Sequence, residues 1–297
     1  MRLSDLKIAN LQALVAVAET ESFSRAAEVL HVTQPTVSRR VADLEAVLNT
    51  KLFDRLEKRV LLNDVGKELY QHANHILRTL KDTRNAIDNL SDEVMGQLKL
   101  GVSGYIAEVY LRPILQKFTE QYPNVELDIN LFGSSANAYK RLQEGELDLV
   151  LSTLPMKSKP EYQQHIIWHD KLAFVCSKQH ALAKKKMLSL SELASYPAIV
   201  PESDTMLGTI INQRFAKKHL KLRFAPQIPS PANFPMIKML VSLGLGWSVL
   251  PEIILDNTFV TLPVKGLVRE LGIIHLKKRS LSKAAREFIT ICLAAIV

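Results

Sequence analysis

Residues 31–48 read HVTQPTVSRRVADLEAVL. Val37, Val41, Leu44 and Leu48 recur at spacings of four, three and four, which marks one face of an α-helix. The pattern predicts a helix with Thr33 as its N-cap and Pro35 in the first turn, where a missing N–H breaks no intrahelical bond. At roughly 100° per residue, Pro35, Thr36, Arg39 and Asp43 fall opposite the apolar stripe, and Ser38 and Arg40 flank it. The outward face of the first half therefore carries hydroxyl, amide and guanidinium groups. Those groups bond phosphates and base edges. The same face would also suit an ordinary solvated helix, so the neighbouring residues decide.

Upstream, ESFSRAAEVL (21–30) is expected as a short helix capped by Ser22 or Ser24, with Ala26, Ala27 and Leu30 as small buried contacts. Alanines let two helices approach closely. A turn at His31-Val32 then leads into the second helix, which is the helix-turn-helix arrangement. LQALVAVAE (11–19) is an apolar helix able to close a three-helix core. Downstream, LFDRLEKRVLLN (52–63) has two short β-prone arms around a charged tip with Arg55, Lys58 and Arg59. That is the form of a wing that meets a sugar-phosphate backbone.

The chain of 297 residues, 47% hydrophobic and 23% charged, has the composition of a soluble globular protein of two or more domains. No apolar leader core opens it, and the late apolar run FITICLAAIV (288–297) is too short to span a bilayer, so no membrane partner is expected. Cys176 and Cys292 have neither metal nor redox spacing and are expected as buried thiols of a reducing cytoplasm. The net charge of +8 invites a nucleic-acid reading, but its distribution opposes that reading. Residues 1–66 hold nine Lys/Arg and nine Asp/Glu; residues 67–97 net −1; residues 98–297 net +9. DNA binding has to be argued from local placement, not from bulk charge.

NDVGKELYQHANHILRTLKDTRNAIDNLSDEVMGQ (63–97) predicts one long helix, capped by Asn63 or Asp64 and stopped by Gly96. Ala73, Leu80, Ile87 and Val94 repeat every seven residues, as do Ile76, Thr83 and Leu90 three residues later. Such a heptad seam seeks a partner helix. His72 and His75 stand at i, i+3 without a carboxylate or thiol neighbour and are read as surface residues, not metal ligands. From residue 97 the pattern changes to QLKLGVSG, NVELDINLF and LDLVLST as strands, with helices in YIAEVYLRPILQKFTEQYP and SSANAYKRLQEGE between them. A second set runs from HIIWHDKLAFVCS (165–177) through helices over 204–218 and NFPMIKMLVSLG to VRELGIIHLKK (268–278) and a last helix over 281–297. The alternation implies a largely parallel sheet. Crossings of the chain near 165–168 and 264–268 would divide it into two lobes with a cleft between them.

Catalytic motifs are scarce. GVSGY (101–105) has Tyr105 where a nucleophile elbow needs glycine, and GLGWSV (244–249) lacks the third glycine of a dinucleotide loop and precedes a strand. Glu146 and Asp148 are read as solvated. No enzyme activity and no cofactor are expected. Two alternatives carry less support. An enzyme on a two-lobed fold has no use for a helix-turn-helix, and a purely architectural DNA-binding protein has no use for an α/β cleft.

LQALVAVAETESFSRAAEVLHVTQPTVSRRVADLEAVLNTKLFDR resembles the DNA-binding segment of LysR-type transcriptional regulators, with Ser-Phe-Ser, Ala-Ala, Thr-Gln-Pro, Val-Ser and Leu-Glu landmarks in order. LRPILQKFTEQYPNVELDI, GELDLVLSTLP and VSLGLGWSVLP extend the resemblance along nearly the whole chain. Glu57 at the wing tip, where the family often has glycine, and Asn63, where it usually has threonine, depart from the pattern. The resemblance implies an N-terminal all-α winged helix-turn-helix domain (1–62), a long linker helix for dimerisation (63–96) and an α/β effector domain (97–297) like periplasmic binding proteins. Lobe I would take 97–164 and 268–297, and lobe II 165–267. Double-stranded DNA with two half-sites, a homodimer or homotetramer and a small effector are the implied partners, with RNA polymerase as a further candidate.

By that resemblance, Thr33, Gln34, Pro35, Thr36 and Arg39 match the positions that enter the major groove, and Ser38 and Arg55 match positions that hold the backbone. Arg59 on the wing joins them as a candidate. In the cleft, loops leading from strands into helices offer hydroxyls and helix N-termini. The candidates there are Ser103, Gly104, Ser134, Ser135, Thr153, Ser203, Thr205, Asn233 and Phe234. Few acidic groups lie among them, so an anion is expected, held without a dedicated arginine.

Overall fold

A computed structural model describes residues 6–56, 59–88, 93–133, 135–155, 159–202, 205–224 and 234–295. The chain forms two compact units, Met1–Leu90 and Ser91–Val297. In the first, α1 (Ile8–Thr20), α2 (Phe23–Val29) and α3 (Gln34–Leu48) pack around Leu14, Val17, Ala26, Val37, Val41 and Leu44. Ser22 caps α2 by accepting the Arg25 N–H at 3.4 Å. His31, with φ of 52°, turns the chain from α2 into α3. The β1 (Phe53–Leu56) and β2 (Arg59–Leu62) hairpin forms the wing, in register Phe53 to Leu62 and Arg55 to Val60.

The helix α4 (Asp64–Asp88) follows. Asn63 serves both sides of its start: Oδ1 accepts the Gly66 N–H and Nδ2 donates to the Lys51 carbonyl, each at 2.8 Å. A Cβ at Gly66 would stand 2.1 Å from the Leu52 carbonyl oxygen, so the close approach of α4 to the wing requires glycine there. The expected run to residue 96 is corrected. The described helix ends at Asp88, Leu90 lies outside the described residues, and Gly96 opens a strand. Val94 packs against the core of the second unit and Ala73 is buried in the core of the first, so neither is free to serve a seam. The exposed remainder is Ile76, Leu80, Thr83 and Ile87. His72 and His75 are exposed, as read from the sequence.

The second unit is built on one mixed sheet. Its strands are β3 (Gly96–Ser103), β4 (Val125–Phe132), β5 (Leu149–Thr153), β6 (Tyr162–Ser177), β7 (Pro197–Ala198), β8 (Arg223–Phe224), β9 (Trp247–Pro251), β10 (Phe259–Thr261) and β11 (Leu267–Leu276). They lie in the order β4-β3-β5-β11-β6-β9-β7-β8, with β10 on β6. The expectation of a largely parallel sheet holds only at its two flanks, where β3 pairs β4 and β5, and β7 pairs β8 and β9. The centre is antiparallel, because β6 and β11 run the full width between the flanks in opposite directions. A Cβ on Gly272 would stand 2.0 Å from the His165 carbonyl oxygen, beside the register shift at Leu271/Gly272.

Helices cover both flanks. The one predicted over YIAEVYLRPILQKFTEQYP is two, α5 (Gly104–Val109) and α6 (Leu111–Gln121). Pro113 has no N–H to return to Val109, so the helix cannot run through. α7 (Ser135–Glu144), α8 (Leu190–Ala194), α9 (Met206–Ala216), α10 (Phe234–Ser242) and α11 (Lys283–Ala294) complete the layers. One core gathers Leu98, Leu100, Phe118 and Phe288; another gathers Phe174, Phe215 and Trp247. Asp148, read as solvated, is instead buried: Oδ1 lies 3.1 Å from Arg279 Nη2, and Oδ2 accepts the Lys99 N–H. Neighbouring Glu146 pairs with Arg141 at 2.7 Å.

Two histidines meet across the central strands, His165 Nε2 standing 3.1 Å from His275 Nε2. His275 Nδ1 is 3.2 Å from the Leu276 carbonyl. A proton on Nδ1 donated there leaves His275 Nε2 as acceptor, so His165 Nε2 donates to it. Burial pulls both imidazoles below the ordinary histidine range, and does the same to His180. In the unfolded chain these rings titrate near ~6.5. The unfolded state therefore gains protons first, and the stability these rings confer is present above that pH and lost as pH falls through their folded values. The thermal unfolding midpoint should fall as pH drops below about 6.5, and His165→Asn with His275→Gln should flatten that decline. Parallel declines in parent and double variant would place the acid sensitivity elsewhere.

Candidate functional site

The stripe of α3 is buried as its spacing requires, with Val37 and Leu44 fully covered. Thr33, Gln34, Pro35 and Arg39 are exposed, and Thr36 and Ser38 are partly so. Thr33 stands at the N-cap position but its side chain does not cap; its hydroxyl instead meets that of Thr36 at 2.8 Å. Gln34 Nε2 donates to Ser38 Oγ at 2.9 Å. These bonds lie among exposed side chains and order them as one polar surface. Arg55 sits in β1, with its side chain outside the described residues, as is the tip at Glu57 and Lys58. Arg59 is exposed on β2, its Nη1 3.4 Å from Glu21 Oε2. An exposed pair of this kind contributes little to stability and leaves the guanidinium able to exchange partners.

In the second unit a cavity of about 310 Å³ opens at the carboxyl ends of β3 and β5. Six of the sequence candidates line it: Ser103, Gly104, Ser135, Thr153, Thr205 and Phe234. Ser134, Ser203 and Asn233 lie outside the described residues. Ser103 precedes α5 without a side-chain capping bond. Thr205 caps α9: its hydroxyl accepts the Gly208 N–H at 3.0 Å and donates to the Glu202 carbonyl at 2.7 Å. Its hydrogen is committed to the loop, which is the structural role that competes with ligand binding.

Sequence reasoning missed the rest of the lining. Tyr105, Phe132, Met206 and Ile237 make much of the wall apolar, and exposed Glu108 adds a carboxylate. The expectation of no arginine is corrected, because Arg269 of β11 forms part of the wall. It is opposite Asp170 of β6 in strand register, and both are buried. Arg269 Nε donates to Asp170 Oδ2 at 2.7 Å. Nη2 lies at 2.7 Å from the same oxygen but off the line of a hydrogen bond, held by charge. Tyr105 and Tyr110 hydroxyls donate to Oδ1 at 3.0 and 3.2 Å. Burial, with the Asp170 charge beside them, raises both phenols above their ordinary range, so both stay protonated donors. Only cross-strand register brings Asp170 to Arg269, ninety-nine residues apart in the chain, and no local motif announces it.

Comparison with known proteins bears on both regions. Residues 8–67 match the family described as bacterial regulatory helix-turn-helix protein, lysR family, and residues 91–296 match the LysR substrate binding domain. The chain belongs to the LysR family. It is a transcriptional regulator with a helix-turn-helix DNA-binding domain and an effector-binding domain. The transcriptional activator CmpR of Synechocystis is 27% identical over 285 residues, covering 94% of this chain and 92% of that protein. A full-length OxyR variant from Pseudomonas aeruginosa has the same fold, with TM-score 0.71 at 21% identity over 98% of this chain and 94% of the other. So has full-length CbnR complexed with its target DNA, with TM-score 0.65 at 18% identity over 98% and 100%. Among the described residues no helix is long and apolar enough to cross a membrane, and no group of three or more His, Cys, Asp or Glu could hold a metal ion.

The likeness to OxyR is one of fold, and the thiols of this regulator are placed differently from reactive ones. Cys176 and Cys292 are fully buried in separate cores. Burial pushes their thiols up to about 11 and about 12. A reactive cysteine needs the opposite, a stabilised thiolate near solvent. In native buffer neither thiol should react with an aromatic disulfide reagent within minutes, and both should titrate once the chain is unfolded; rapid reaction of one thiol in the native state would disprove its burial.

Proposed function

We propose that this LysR-family regulator acts as a dimer, or a pair of dimers, that reads two DNA half-sites with α3 and answers to a small anion bound between two lobes of its effector domain. The observation that carries the DNA reading is the polar face over Thr33–Arg39, exposed while the opposite face of the same helix is sealed in the core. Thr33, Gln34, Pro35, Thr36 and Arg39 are assigned to base edges, and Ser38, Arg55 and Arg59 to the backbone. Helix N-termini with arginine and glutamine in reach suit guanine and adenine in the major groove. In this reading the protein works in the cytoplasm on chromosomal DNA, with RNA polymerase as the further partner at the promoter.

The lobes are taken as 97–164 with 268–297, and 165–267, joined where β6 and β11 cross. Hydroxyls of Ser103, Ser135 and Thr153, the first turn of α9 and the guanidinium of Arg269 favour an anion in the cavity. Ser134, Ser203 and Asn233 are kept in the proposed site by their neighbours in sequence. The row Ile76, Leu80, Ile87 on α4, each more than two-fifths exposed, favours pairing with the same row of a second copy, with Thr83 as its polar member.

Thr36→Ala and Arg39→Ala should each lose about 1–3 kcal/mol of binding to the cognate site and leave thermal stability unchanged. Gel-shift titration at fixed salt, on cognate and scrambled duplexes, measures it; equal discrimination by both variants and parent would remove α3 as the reading helix. Leu80→Asp with Ile87→Asp should convert the protein to a monomer and abolish a two-half-site footprint, since the charges would be desolvated in an apolar seam. Light scattering that still returns an oligomer would place the principal dimer contact off α4.

A further inference from the structure

Arg269 is hydrogen-bonded by Asp170 and flanked by two aromatic rings. Asp170 accepts its Nε–H, Nη2 lies beside the same oxygen without a hydrogen bond, and the two tyrosines complete the shell of that carboxylate. The Tyr105 ring centre lies 4.8 Å from the guanidinium carbon and the Phe234 ring centre 5.5 Å from it. Those rings also touch each other, with centroids 5.0 Å apart. Aromatic rings at these distances hold a guanidinium through their quadrupoles. Arg269 lines the cavity, and Asp170 accepts only its Nε–H, so donor capacity of the guanidinium is left for an occupant. Carboxylates and phosphates both match guanidinium donors, but a carboxylate brings a single negative charge. The Asp170 charge already balances that of Arg269, and exposed Glu108 lies in the same wall, so a second negative charge on the ligand would be repelled. The apolar wall around them suits an apolar body.

We infer that the effector is a monocarboxylate on an apolar body, anchored through Arg269, and that Asp170 sets the strength of this anchor by sharing the guanidinium. This rests on the anion reading above and adds a residue, a charge state and a second residue with opposite effect. A merely structural ion pair would behave differently: loss of either partner would only weaken the protein. Here the two substitutions should move ligand affinity in opposite directions.

The test uses full-length protein, with acetate, butyrate and phenylacetate, their primary amides, and inorganic sulfate as probes, read by calorimetric titration and thermal melts. The acids, phenylacetate most, should bind and raise the melting midpoint, whereas the amides should not. Asp170→Asn should bind phenylacetate about tenfold tighter than parent, and Arg269→Lys about tenfold weaker, because the ammonium keeps the charge but loses the planar fork. The double variant Asp170→Asn with Arg269→Gln removes both charges, so that it avoids an unpaired buried ion; it should not bind the acids. If the double variant binds them as the parent does, Arg269 is not the anchor although the anion reading stands. Tighter binding of sulfate than of any acid leaves an anion site and overturns the carboxylate. If the amides bind as well as the acids, or no probe binds, the anion reading and this inference fall together. Weaker binding by a folded Asp170→Asn protein overturns the tuning role.

Discussion

The antiparallel pairing of β6 with β11, from Tyr162 against Leu276 to Leu172 against Leu267, is the constraint on which the effector domain depends. Strands β3, β4 and β5 attach to it through β11 alone, and β7, β8 and β9 attach through the far half of β6. Each flank could be assembled from ordinary right-handed β-α units. Neither flank would know the other without two strands long enough to serve both. Those strands therefore carry unusual demands: Gly272 where the ladder shifts register, a histidine pair with both rings' tautomers set by one carbonyl, and the buried Arg269–Asp170 couple.

That couple also shows why charge has to be read in place. The second unit holds most of the excess of cationic residues, yet Arg269 in the wall of its cavity is neutralised by Asp170 in direct contact. The bulk of the positive charge is on exposed lysines such as Lys184–Lys186, where water screens it. The DNA-binding unit is balanced overall but concentrates hydroxyl, amide and guanidinium groups on one exposed turn of α3. Net charge describes neither site. Placement on a buried or exposed face describes both.

The parts legible in the sequence were those governed by local rules. α3 follows from its four-three-four stripe, the turn from the small residues of α2, and six of the cavity residues from strand ends that lead into helices. What stayed hidden depends on long-range pairing. Asp148 looks solvated until Arg279 arrives from the far end of the chain, and Arg269 looks like an ordinary polar position in an alternating strand. The heptad pattern of 73–94 was genuine as a repeat but crossed a boundary between two cores: Ala73 belongs to one and Val94 to the other. A period cannot report where one core ends, because residues on either side are apolar for different reasons.

A ligand in this cavity would touch both flanks of the sheet at once: Ser103 and Tyr105 come from the β3 side, Phe234 and Thr205 from the β9 side, and Arg269 from the strand between them. Tyr105 and Phe234 are in contact without any ligand. The two flanks are thus already drawn together over the cavity by two rings packed edge to face. A ligand inserted there works against a favourable arrangement as well as with one, so occupancy alone does not define a switch. Its leverage on any distant event equals the difference in its affinity for the two arrangements of the flanks. A ligand that took a share of the guanidinium from Asp170, as proposed above, would supply such a difference. Coupling of this kind needs no displacement of the core, only a change of partner at one buried cation.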